Sequence, residues 1–174
     1  MNKIFIIHEN DEWIEPLQVH LYDLQIPFED WHMDKVNINT FNIPPLGAFY
    51  NRMSASSHTR GHRYAPEYTA VVLNWLENYN RKVINNSRAL SLELSKSLQY
   101  KELEKEAIKV PNTVYAKDKE QLLYLGKSFP FPYLTKHNRA GRGLGIKLFH
   151  DYQSFKQYIN STEFENSVDG ITLL

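Results

Sequence analysis

The chain has no cysteine, few glycines and no surplus of charge of either sign. With 0 cysteines among 174 residues, a disulfide framework, a thiol nucleophile and cysteine-ligated zinc are excluded, and the composition suits a reducing compartment. Twenty basic and twenty acidic side chains cancel to a formal net charge of zero. A global field of the kind that draws a protein to nucleic acid or to a membrane surface is therefore absent, and any anion binding has to be local. No apolar run approaches the ~20 residues of a membrane span, and the run at Ile4, Phe5, Ile6 and Ile7 is too short for a signal peptide. These absences predict a soluble, cytoplasmic chain. What is present is apolar material: 42% of residues are hydrophobic and 13% aromatic, enough for one domain core or two small ones.

Three of the 7 glycines fall at alternate positions in one short segment. Residues 131–149 hold an apolar run ending in Lys136, then Arg139, Gly141, Arg142, Gly143 and Gly145, then Ile146, Lys147, Leu148 and Phe149. A P-loop or a dinucleotide fingerprint would lead into a helix, and the glycine spacing fits neither. Ile146 and Leu148 alternate with Lys147, the pattern of a half-buried strand. The segment thus predicts two antiparallel strands joined by a basic loop whose glycines permit positive φ and leave backbone N–H groups free to converge on an anion. A flexible basic hairpin without a ligand would present the same residues.

Elsewhere the first part of the chain alternates strand and helix. Ile4 to Ile7 read as a strand buried on both faces, and Asn10 or Asp11 caps a helix carrying Trp13, Leu17, Leu21 and Leu24. Extended segments follow at Phe28 and Trp31 and at residues 47–50. A second helix has Pro66 in its first turn and a stripe of Tyr68, Val71, Val72, Trp75, Leu76 and Tyr79. Residues 81–84 return as a strand, so the order β-α-β-β-α-β predicts a small open α/β layer through about residue 85. In the second part, one helix is predicted through Leu90, Leu94, Leu98 and Leu103, ending before Pro111. A strand over 113–116 follows, then a short helix with a capping box at Asp118 and Gln121 that Gly126 stops. After the glycine hairpin, Asp151 caps a helix, and residues 170–174 form a β-prone run. That run ends the chain without a polar tail, so an incomplete fragment with an open C-terminal edge is expected.

Two further groups of residues invite chemistry. Arg52, His58, Arg60, His62 and Arg63 fall in a polar loop at the predicted C-terminal end of a strand, where open α/β sheets place ligands, and could hold an acidic substrate or a phosphate. A solvated loop explains them equally well. No nucleophile elbow supports a serine hydrolase there, and His58 with His62 offers too few ligands for a metal. Polynucleotide binding through this loop would be steeply salt-dependent and is disfavoured by the zero net charge.

In order along the chain, Lys96, the segment 108–114, and Lys136 followed by the glycine loop resemble successive landmarks of the ATP-grasp ligases, nearest to the RimK-type carboxylate–amine ligases. The resemblance covers almost the whole chain. It implies a fold of two parts: a pre-ATP-grasp α/β layer over 1–85, then, over 86–174, an α+β first subdomain of the ATP-grasp fold with an antiparallel glycine-loop hairpin, ending at a hinge strand. It implies ATP with magnesium as cofactors, a small-molecule or peptide carboxylate and an amine as substrates, and Lys96, Lys136, Arg139, Gly141, Arg142, Gly143 and Gly145 as nucleotide-binding residues. In that family the γ-phosphoryl group of ATP passes to a carboxylate, and an amine displaces phosphate from the acyl phosphate. The family's magnesium ligands lie further along than this chain extends. The expectation is therefore a truncated ligase, inactive alone and without its own metal ligands or assignable catalytic residues. The alternative is a non-catalytic nucleotide- or protein-binding module, forming a homo-oligomer or joining a partner chain through its C-terminal edge.

Overall fold

A computed structural model of the protein describes residues 3–141 and 143–174. Its contacts divide them into two compact units, one ending at Glu93 and one spanning Leu94–Leu174.

The first unit is a four-stranded, all-parallel sheet. Its strands are β1 (Lys3–His8), β2 (Phe28–His32), β3 (Gly47–Asn51) and β4 (Lys82–Ile84), in the spatial order β2-β1-β3-β4. Helix α1 (Asp11–Asp23) links β1 to β2, and α2 (Ala65–Asn78) links β3 to β4. The predicted β-α-β-β-α-β order is thus present. Parallel sheets need cover on both faces, and β1 supplies apolar side chains to each. On one face Ile6 packs with Ile14 and Leu21 of α1, supported by Ile4, Leu17, Ile26 and Phe28. Another cluster is aromatic: Phe5 stacks on Phe49 at 4.7 Å between centroids, Trp31 contacts both, and Trp75 of α2 stacks on Trp31 at 6.4 Å. Asn10 caps α1 by accepting from Trp13 N at 3.3 Å. The chain leaves β1 towards β2 on one side and β3 towards β4 on the other. The C-terminal ends of β1 and β3 therefore flank a topological switch point, the customary ligand position of such sheets.

The expected single helix through Leu90 and Leu103 is two helices, α3 (Ser87–Leu94) and α4 (Lys96–Lys105). Ser95 breaks it: its backbone is extended and its hydroxyl accepts from Leu98 N at 3.3 Å, making it the N-cap of α4. Leu90 is buried, whereas Leu98 and Leu103 on α4 are exposed.

The second unit is an antiparallel sheet of β5 (Tyr115–Ala116), β6 (Tyr133–His137), β7 (Lys147–Phe149) and β8 (Thr172–Leu173), ordered β5-β8-β6-β7. Helices α5 (Lys119–Ser128) and α6 (Tyr152–Asn160) contact each other. Together with the sheet they enclose a core of Leu122, Tyr133, Phe149, Phe155, Ile159 and Phe164. Asp118 and Asp151 cap these helices, accepting from Gln121 N and Ser154 N, each at 2.8 Å.

Three further expectations do not hold. The C-terminal strand is not an open edge, because β8 is hydrogen-bonded to β5 on one side and β6 on the other. Partner binding through an open edge there has no structural basis. Gly126 does not stop α5 but lies inside it, buried, because a Cβ there would run into the Phe155 ring and the Tyr133 hydroxyl. And although Ile146 and Leu148 do share a face, that face is exposed; the buried residue of β7 is Phe149.

Two expected outcomes test this packing. Gly126→Ala gains helix propensity, but the clash with an aromatic ring in a dense core outweighs it, and the variant loses about 1–3 kcal/mol of stability by urea denaturation. Burial pushes the Tyr133 phenol up to about 12 from 10.0, so the folded chain keeps a proton that the unfolded chain has already released. Stability is full below pH 10 and declines as pH rises towards 12. Tyr133→Phe removes that part of the decline when melting temperatures are compared across this range.

Candidate nucleotide-binding site

The alternation of β6 builds the site. Tyr133, Thr135 and His137 are buried, while Leu134 and Lys136 point to the opposite, uncovered face of the sheet. Register completes that face, since Leu134 lies opposite Leu148 of β7 and Lys136 opposite Leu173 of β8. The result is a cavity of about 310 Å³ with a floor of Leu134, Leu148 and Leu173, walled by Tyr100, Asn112 and Phe129 among others. Among the described residues, Lys136 is the only charged side chain lining it. Its Nζ lies 3.4 Å from the Tyr100 hydroxyl of α4 and 5.9 Å from the centre of that ring. An apolar slot with one convergent cation is the shape and polarity of a site for a flat ring bearing an anionic tail.

Lys96, the first residue of α4, reaches the root of the glycine loop: its Nζ donates to Ala140 O at 2.6 Å and to Asn138 O at 3.4 Å. A polar network that sequence reasoning did not find anchors the same root. Asn138 Nδ2 donates to Asp169 Oδ2 at 2.6 Å, and Asn138 Oδ1 accepts from Ser97 N at 2.9 Å. Ser167 donates to Asp169 Oδ1 at 2.6 Å and accepts from Arg139 N at 3.2 Å, and Arg139 is buried. Gly141 closes a turn by accepting from Leu144 N, and Gly143 another by accepting from Ile146 N, each at 3.2 Å. Gly143 and Gly145 have positive φ, 80° and 72°. At Gly145 a Cβ would also collide with the His137 ring, so no other residue fits there. Arg142 lies outside the described residues.

The second predicted group is dispersed. Glu9, directly after β1, is 1% exposed and takes both Arg60 and His62. Arg60 Nε donates to Glu9 Oε2 at 3.0 Å, Arg60 Nη2 to Oε1, and His62 Nδ1 to Oε2 at 3.0 Å. Burial pushes the Glu9 carboxyl up, but the hydrogen bonds from Arg60 and His62 outweigh it and hold the group below the usual carboxylate range. Arg60 also covers the Trp13 ring at 5.0 Å. His58 Nδ1 lies 3.2 Å from Ala55 O, and Arg63 pairs with Glu67 at 2.6 Å. Arg52, beside the Tyr50 hydroxyl at 3.2 Å, lines a separate cavity of about 340 Å³ with Trp13, Asn51, Asn85 and Glu93 at the ends of β3 and β4. Missed altogether from sequence were His8 and His32, both buried, whose rings meet edge to face at 5.1 Å beside Asp11.

No protein-family profile matches this chain, and no curated protein matches it in sequence. Solved structures do. An ATP-grasp RimK domain protein from Sphaerobacter thermophilus is similar with a TM-score of 0.65 at 14% identity, over 98% of this chain and 62% of that one. D-alanyl-alanine synthetase A from Vibrio cholerae is similar with a TM-score of 0.67 at 11% identity, over 99% and 58%. The ATP-grasp ligase PsnB, in complex with its minimal precursor, magnesium and ADP, gives 0.55 at 13% identity, over 98% and 62%. The chain has the fold of ATP-grasp ligases, and it spans about three-fifths of their length. No described helix is long and apolar enough to cross a membrane.

The ion pair at the switch point gives a further prediction. Arg60→Ala leaves the Glu9 carboxylate buried with only His62 beside it, and the variant loses about 3–5 kcal/mol of stability, read from its denaturant midpoint.

Proposed function

We propose that the second unit binds ATP and supplies the phosphate-gripping part of a carboxylate–amine ligase. The carrying observation is the cavity over Leu134, Leu148 and Leu173 with Lys136 at its side. The adenine ring lies on the apolar floor, where its burial is favourable and its flat faces meet leucine side chains. Lys136 and Lys96 approach the phosphates. Arg139, Gly141, Arg142, Gly143 and Gly145 form the loop that closes over them, with backbone N–H groups as donors. Phosphoryl transfer depends on positioning and on neutralising charge, and these residues serve both ends.

The fold shared with ATP-grasp ligases supports this reading, as does the presence of ADP in the PsnB complex. Magnesium is a different matter. Asp151 is spent on capping α6, Glu163 pairs with Lys147 at 3.0 Å, and Asp169 holds Asn138 and Ser167. Among the described residues of the second unit no three histidine or carboxylate side chains converge on a point. Each of these three carboxylates is already engaged within the chain, and none is proposed as a magnesium ligand. The role proposed for this chain is nucleotide binding, with a carboxylate and an amine, small or peptidic, as the substrates of the complete reaction. Arg52, with Asn51 and Asn85 around its cavity, is the proposed contact for an acidic substrate, and His58 and Arg63 stand on the same loop.

Calorimetry with ATP tests the proposal. Lys136→Ala is expected to weaken ATP binding at least ~10-fold, in line with the loss of a charge-assisted contact, while the circular dichroism spectrum is unchanged. Identical affinity in wild type and variant would remove the assignment.

A further inference from the structure

The parallel register of β1 and β2 sets His8 directly beside His32, and the start of α1 places Asp11 against both. His8 Nδ1 and His32 Nε2 lie 4.0 and 3.9 Å from Asp11 Oδ1, and one donor atom from each of the three residues lies within 4.8 Å of the others. Lys35 holds the other Asp11 oxygen, Oδ2, at 2.9 Å, which leaves Oδ1 turned towards the imidazoles. His8 is the telling member. It is 1% exposed, and among the described residues neither of its ring nitrogens has a hydrogen-bond partner. Leaving a buried polar group unpaired is costly, so folding stability alone gives no reason to place a histidine there.

We propose that His8, Asp11 and His32 form a binding site for a divalent transition-metal ion of the zinc type. This goes beyond the nucleotide reading and rests on none of it. Two imidazoles and one carboxylate are a three-ligand set that leaves coordination open for water or substrate. Imidazole nitrogen selects zinc and its neighbours over magnesium or calcium, which take oxygen ligands. Bond lengths of about 2.0–2.2 Å are reached if each donor moves inward by less than ~1 Å. His32 carries a signature of the loading. Asp34 N donates to His32 Nδ1 at 3.3 Å, so the neutral ring holds its proton on Nε2. An ion at Nε2 displaces that proton to Nδ1, and the long bond from Asp34 is given up. The position is at the C-terminal ends of β1 and β2, next to but not at the switch point between β1 and β3.

The test uses the full chain without an affinity tag, stripped by chelator and titrated with Zn²⁺ by calorimetry and with Co²⁺ by visible absorption. One ion per chain is expected, not displaced by excess Mg²⁺. Asp11→Asn and His32→Ala should each weaken Zn²⁺ at least ~10-fold, whereas the exposed His20→Ala and His150→Ala should not. Nitrogen NMR should show the His32 proton moving from Nε2 to Nδ1 on Zn²⁺ addition. Asp11 is exposed at a helix start, so Asp11→Asn decides the matter even if His32→Ala fails to fold. Absence of stoichiometric Zn²⁺, or equal affinity in wild type and Asp11→Asn, would overturn the site.

Discussion

The side-to-side alternation of Tyr133 to His137 is the constraint on which the second unit depends. Tyr133 is wedged against Phe149 and Phe155, with centroids at 6.2 and 5.3 Å, and its hydroxyl donates to Gly126 O at 3.0 Å. That wedge determines which face of β6 is the inner one. A slip of one residue would exchange every side chain between the faces, burying Lys136 and breaking the floor of the cavity. Gly126 is part of the same device, because only a residue without Cβ lets α5 come close enough to receive the tyrosine. The packing that stabilises the unit and the geometry that presents the lysine are therefore one arrangement.

In the first unit the comparable constraint is electrostatic. A parallel sheet gathers strand ends at one edge, and this chain places a buried carboxylate there. Glu9 is tolerable only because Arg60 and His62, both from the loop after β3, meet it. Much of the positive charge in that loop thus satisfies the protein rather than remaining available to a ligand. The histidine pair beside it is the contrast, because His8 is brought edge to face against His32 and, among the described residues, neither of its ring nitrogens has a hydrogen bond.

The alternating strand and helix order of the first unit was legible because parallel strands read as continuous apolar runs and their helices as stripes at three to four residues. The antiparallel glycine hairpin was legible from Ile146, Lys147 and Leu148, although their alternation did not say which side is inside. Leucine spacing through Leu90, Leu94 and Leu98 looked like one helix because a cap at Ser95 is a local event that periodicity does not register. Gly126 was misread as a helix stop because the reason for a glycine there, the Phe155 ring, is 29 residues away in sequence. Lys136 stood out as a cation ending an apolar strand. Its apolar neighbours Leu148 and Leu173 did not, since they join it only through strand register.

From the sequence alone come the absence of thiol chemistry, the balance of charge, the order of the elements and the glycines that permit a tight basic loop. These are local or compositional properties, set by the side chains themselves. Tertiary structure decided that β8 lies inside its sheet, that Arg60 and His62 face Glu9, that Leu134 and Leu148 face outward, and that His8, Asp11 and His32 converge. Each of these depends on pairing between segments distant in the chain, and pairing is governed by packing and register rather than by any residue's own preference.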